Sequence, residues 1–140
     1  MKKTYLISLI LTSVLITLFS CRKEGVRTNY DTPFGREKYL STNHTIDDQK
    51  IEGESIVIKF DISEKGGSGT WVSTDSYTSL SIGRNFDYKI VIENRKKYIL
   101  FIYESNRQEK FQYNVRGGFF VNYIKLTKDN EVIEFERVDS

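Results

Sequence analysis

Ile56-Val57-Ile58-Lys59-Phe60-Asp61-Ile62 is the stretch whose reading decides the fold. Ile56, Ile58, Phe60 and Ile62 fall on one side of an extended chain, while Lys59 and Asp61 fall on the other. A period of two with β-branched and aromatic residues on the apolar side reads as a half-buried strand. The same texture runs through the second half of the chain. Phe86, Tyr88, Ile90 and Ile92 alternate with Asp87 and Lys89, and Phe111, Tyr113 and Val115 with Gln112 and Asn114. Tyr98 to Tyr103 is apolar at every position and reads as a central strand. Further strands are expected over 119–127 and 132–138, and weaker ones over 70–73 and 79–82.

Turn chemistry separates these runs. Gly66-Gly67-Ser68-Gly69, Gly83-Arg84-Asn85, Glu93-Asn94-Arg95, Ser105-Asn106-Arg107, Gly117-Gly118 and Asp129-Asn130 supply the residues that accept positive φ in tight hairpins. No window carries a helical stripe. The fold class expected is all-β: an antiparallel meander of about seven or eight strands, forming a small barrel or a sandwich.

Before this domain the texture differs. Residues 21–50 are rich in charged, Asn, Thr and Ser residues, hold the single proline and lack a sustained apolar period. Such composition reads as a polar tether. It is preceded by Lys2-Lys3, an apolar run from Tyr5 to Phe19, and Ser20-Cys21, the pattern of a secretory signal peptide. The expected organisation is a signal peptide over 1–20, a tether over 21–50 and one β-domain over 51–140.

Leu18-Phe19-Ser20-Cys21 resembles the lipobox of bacterial lipoproteins, in which the cysteine is lipidated and becomes the first mature residue. The resemblance implies a membrane partner through lipid on Cys21 and a place in the bacterial envelope. Arg22 at the following position favours the outer membrane, and Arg22-Lys23-Glu24 has some of the charge seen in Bacteroidetes-type surface lipoproteins. Maturation removes Lys2 and Lys3, leaving equal numbers of acidic and basic residues. Without excess positive charge there is no field to gather phosphates, and no nucleic-acid partner is expected. Cys21 is the only cysteine, so its acylation leaves no thiol for a disulfide or thiolate metal site.

Little else points to catalysis. His44 is the only histidine, and it reads as a solvated tether residue. Asp47-Asp48 and Glu52 with Glu54 read as a solvating cluster, and Asp129-Asn130-Glu131 as a hairpin turn without the ligand spacing of a calcium loop. Glu64 to Thr70 lacks the Gly-Lys-Ser/Thr ending of a phosphate loop. No catalytic residue, metal site or cofactor is expected.

Aromatics are the unusual property of the domain. Trp71, Phe86, Tyr88, Phe101, Tyr103, Phe111 and Tyr113 sit at strand positions and read as core, or as the lining of a cavity for one small apolar ligand. Gly69-Thr70-Trp71 resembles the Gly-x-Trp that opens the first strand of lipocalins, and residues 123–134 look like the last hairpin of lipocalin-like lipoprotein domains. That resemblance covers about residues 54–138 and implies an up-and-down barrel. It departs from the family in having a strand, 56–62, ahead of the tripeptide. The functional expectation is a non-enzymatic binding domain for a small apolar ligand or a protein partner. The alternatives are an inhibitor or immunity-type protein acting through the loop Gly66, Gly67, Ser68 and Gly69, or a hydrolase.

Overall fold

The computed structural model describes residues 27–29 and 32–139; the expected signal segment and Cys21 lie outside the described residues. Ten strands are formed: β1 (Arg27–Asn29), β2 (Lys38–Ile46), β3 (Gln49–Lys50), β4 (Glu54–Ser63), β5 (Gly66–Asp75), β6 (Ser81–Glu93), β7 (Lys96–Tyr103), β8 (Gln108–Arg116), β9 (Tyr123–Lys128) and β10 (Glu131–Arg137). From β4 to β10 each strand pairs antiparallel with the next, and β2 pairs with both β4 and β10. The result is a closed eight-stranded up-and-down barrel. β1 adds to β6 on the outside of this circuit, and β3 makes a small hairpin with β2.

The all-β meander expected from the alternating runs is thus observed, and it is a barrel rather than a sandwich. Closure depends on β2, which lies where a polar tether was expected over 21–50. Only Tyr39 and Ser41 of its first half face the core, and most of its other side chains are polar, so composition alone reads it as tether. Thr32–Glu37 is also part of the fold. It turns under one end of the barrel and inserts Phe34, whose ring stacks on Phe60 at 4.4 Å and meets Tyr88 and Tyr113. Phe34 plugs that end.

Two expected turns are strand interior. Gly83-Arg84-Asn85 lies in the long β6, opposite Thr70, Trp71 and Val72. Gly66-Gly67-Ser68-Gly69 belongs to β5, paired with β4 on one side and, from Gly67, with β6 on the other. The hairpin turn is the two-residue Glu64-Lys65 just before it. These glycines are used for close approach: a Cβ on Gly67 would lie 2.3 Å from the Tyr88 ring, and one on Gly69 would lie 2.3 Å from the Lys59 carbonyl oxygen and 2.6 Å from the Phe86 ring. Large rings on β6 therefore need bare backbone on β5. Expected turns at Asn94-Arg95 and Asp129-Asn130 are observed, with positive φ at Asn94, Arg95 and Asp129. The strand expected from Phe119 begins instead at Tyr123, because Gly117 to Asn122 forms a loop.

The interior is one cluster. Tyr39, Ile56, Ile58, Phe60, Phe86, Tyr88, Ile90, Ile99, Phe101, Phe111, Tyr113, Ile124, Leu126, Ile133 and Phe135 are buried, with Trp71 and Val121 packed against them. On β7 only Ile99, Phe101 and Tyr103 face inward; Leu100 and Ile102 are half-buried on the outer face, so this strand is covered on one side. Replacing Gly69 by Ala should destabilise the barrel by ~1–3 kcal/mol, since the Lys59 carbonyl cannot rotate away, and the urea midpoint reads it.

Burial also acts on the tyrosines. It is the main cause that pushes the Tyr39 hydroxyl up to about 12, helped by Glu37 and opposed by Arg137. Tyr88 and Tyr103 are raised further, again chiefly by burial, with the Glu109 carboxylate adding to the effect on Tyr103. A raised acid holds its proton more tightly folded than unfolded, so its stabilisation is complete below pH 10 and is lost as pH climbs toward the folded value. Each such tyrosine should cost about 1.4 kcal/mol per pH unit inside that window. Denaturant midpoints measured between pH 9 and 12 should be level at first and then fall steeply.

Candidate functional site at the barrel mouth

Phe34 closes one end of the barrel. The other end, where the β5–β6 and β9–β10 turns lie, carries inward-facing polar side chains. Their placement follows from strand register. On β4, Glu54 continues the inward series of Ile56, Ile58 and Phe60, and on β5 Ser73 continues that of Trp71. On β10, Glu131 precedes inward Ile133 and Phe135. On β6, Arg84 pairs with Trp71, and its guanidinium lies 5.7 Å from the Tyr103 ring centre.

His44 reaches this layer through a bulge. Glu134 pairs with Asn43 and Phe135 with Ser41, which leaves Thr42 as an extra residue in β2. One inserted residue reverses the facing of everything after it. Asn43 therefore points outward and donates to Glu134 Oε2 at 3.0 Å, while His44 points inward beside Ile133. Glu134 also accepts a short hydrogen bond from the Tyr123 hydroxyl, and these two donors, Tyr123 foremost, hold its carboxyl below the usual range.

Inside the mouth, His44 Nδ1 is 2.9 Å from Glu54 Oε2 and Nε2 is 2.8 Å from Glu131 Oε1. Ser73 donates to the second Glu54 oxygen at 2.8 Å. The imidazole is only 12% exposed. Both ring nitrogens face carboxylate oxygens. This chain of contacts joins β10, β2, β4 and β5 across the seam that closes the barrel. Both nitrogens are engaged, so the cluster ties these four strands together as a clamp. Across the mouth, Tyr103 donates to Glu109 Oε2 at 3.2 Å, Arg107 lies 3.4 Å from Glu109 Oε1, and the Lys128 ammonium sits 5.6 Å from the Phe111 ring centre.

His44 and Glu54 thus differ from their readings as a solvated tether residue and as part of a solvating cluster. The signal that could have found them is Tyr39 followed by β-branched Thr42, Thr45 and Ile46, a weak strand pattern in a polar stretch. The seven aromatics singled out from sequence are brought together, but against one another. Trp71 meets Phe101 at 5.9 Å, Phe101 meets Phe86 at 4.9 Å and Phe111 at 5.9 Å, and Tyr103 stacks on Phe101 at 6.4 Å. Tyr88 and Tyr113 meet the Phe34 plug. Gly66 to Gly69 lies in strand β5 and is not the loop expected. Among the described residues, no group of three or more His, Cys, Asp or Glu side chains is arranged to hold a metal ion.

The mouth also carries an apolar projection, the β5–β6 tip. Tyr77, Leu80 and Ile82 are exposed, Tyr77 by 79%. The tip is nevertheless braced. Ser76 donates twice to the Gly53 carbonyl, Tyr77 N–H donates to Asp75 Oδ1, and the Tyr77 ring lies over Gly53. On the outer wall, β4 to β7 form a shallow polar groove of about 640 Å³ lined in part by Lys59, Thr70, Asn85, Asp87 and Glu104.

Comparison with known proteins finds no matching family model, no similar curated protein and no similar solved structure. Gly69-Thr70-Trp71 lies on the third barrel strand, not the first. The site's reading therefore rests on its own geometry. His44→Ala should leave two carboxylates facing each other and cost ~1–3 kcal/mol. His44→Gln, which keeps a donor for one of them, should cost less, and the difference in urea midpoint between the two variants measures the clamp.

Proposed function

We propose that this chain is a lipid-anchored protein of the bacterial envelope whose barrel binds a protein partner, without catalysis, at its mouth end. The anchor reading is supported by Lys2-Lys3, the apolar run to Phe19 and the lipobox-like Leu18-Phe19-Ser20-Cys21. Two or three acyl chains hold a domain on a membrane where a single chain does so only marginally.

The observation that carries the binding reading is the braced, exposed tip of Tyr77, Leu80 and Ile82 beside the polar mouth. Solvent-exposed aromatic and aliphatic side chains on a fixed turn are suited to act as anchors in a partner's pocket. A small apolar ligand is the less favoured occupant, because the aromatics that would line its cavity pack on one another. Inhibition of an enzyme is the form of partner binding that a projecting hairpin tip fits best, and the tip takes over the role expected of Gly66 to Gly69. His44, with both nitrogens engaged, supports the non-enzymatic reading.

A photo-crosslinking residue in place of Leu80, in the full chain expressed in its host, tests this. One discrete protein adduct is expected, absent when Tyr77 is also changed to Ser and absent for the same probe at Lys65, on the plugged end. Equal adduct patterns at Leu80 and Lys65 would overturn the binding surface. Cys21→Ser should move the protein out of the membrane fraction, and retention there would overturn the anchor.

A further inference from the structure

We propose that the plugged end of the barrel rests on the lipid bilayer, with Phe119 and Phe120 inserted among the lipids; this rests on the reading of Cys21 as the lipidated residue. Three independent features of the fold lead there.

The first is where the chain arrives. Arg27 pairs with Ile92 and Asn29 with Ile90, so β1 begins beside the Asn94-Arg95 turn, at the end that Phe34 plugs. Cys21 precedes Arg27 by six residues, a span of at most about 20 Å of extended chain. Acyl chains on Cys21 therefore hold this end, and not the mouth, close to the membrane.

The second is what that end displays. The β8–β9 loop, Gly117 to Asn122, lies about three strand spacings from β1 around the rim, roughly 15 Å. Phe119 is 97% exposed and Phe120 is also exposed. The loop is built to present them. Its base is fixed by Tyr39 Oη–H donating to the Val121 carbonyl, Asn122 N–H to the Arg116 carbonyl and Arg137 N–H to the Asn122 carbonyl, each at 2.9 Å. A Cβ on Gly117, whose φ is +148°, would meet the Phe120 carbonyl oxygen at 2.0 Å, so the chain turns here only through glycine. Arg137 lies 5.4 Å from the Phe120 ring centre and Arg116 3.9 Å from that of Tyr123. Aromatic rings flanked by arginines match a membrane interface, the Arg137 guanidinium also lying 3.5 Å from Asp139 Oδ1.

The third is the opposite end. The turns at the mouth carry Asp47, Asp48, Glu52 and Asp129. An anionic bilayer repels that end, which leaves the tip of Tyr77 and Leu80 facing away from the membrane.

The test uses the mature acylated protein in vesicles of phosphatidylethanolamine and phosphatidylglycerol, with a nitroxide on Phe119→Cys or, separately, on Asn130→Cys. Both positions are exposed turn residues, so folding is preserved. The Phe119 label should be several-fold less accessible to a water-soluble nickel complex, and more accessible to oxygen, than the Asn130 label. Equal accessibility, with mass spectrometry confirming acylated Cys21, would overturn the docking face while leaving the anchor intact. A Phe119 label protected only after envelope proteins are added would assign the loop to a protein partner and also overturn it. An unacylated Cys21 removes the anchor and the proposal together.

Discussion

Pairing between β2 and β10 is the interaction on which the rest of the molecule depends. Seven of the barrel strands follow one another as hairpins, and left to themselves they would make an open sheet with two bare edges. Such edges invite pairing with other chains. β2 fills the gap, taking up β4 over Lys38–Leu40 and β10 over Tyr39–Ile46. The His44 clamp and the Phe34 plug both come from this part of the chain, one at each end of the barrel. Closing the sheet, filling its floor and lining its mouth are thus contributions of residues 32–46.

Closure fixes the economy of the interior. A barrel of eight strands has just enough room for side chains, and large rings fill it only where neighbours are small. Phe86 and Tyr88 face Gly69 and Gly67 across the β5–β6 ladder for this reason. A pattern that looks like a flexible glycine loop is in fact the complement of two aromatic rings. The aromatic wealth of the chain is thereby accounted for by packing, and exposed apolar residues such as Tyr77 and Phe119 stand out as the ones packing does not explain.

The two ends consequently differ in chemistry. The plugged end has an apolar loop and receives the chain from the direction of Cys21. The mouth end has a polar ring, acidic turns and a braced apolar tip. The proposed anchor and the proposed binding tip thus fall at opposite ends of one barrel.

By itself the sequence determined the all-β class, most of the strands from Ile56 onward, and the hairpins at Asn94-Arg95 and Asp129-Asn130. These are local properties: side-chain alternation and the φ preferences of turn residues are readable within a few positions. The tertiary structure alone decided closure, the conversion of a polar stretch into β2, the role of Gly66 to Gly69, and the direction in which His44 points. That last follows from one unpaired residue, Thr42, which reverses facing for the rest of the strand. A bulge is set by how a strand meets a partner some ninety residues away, and no local pattern in the sequence carries that information.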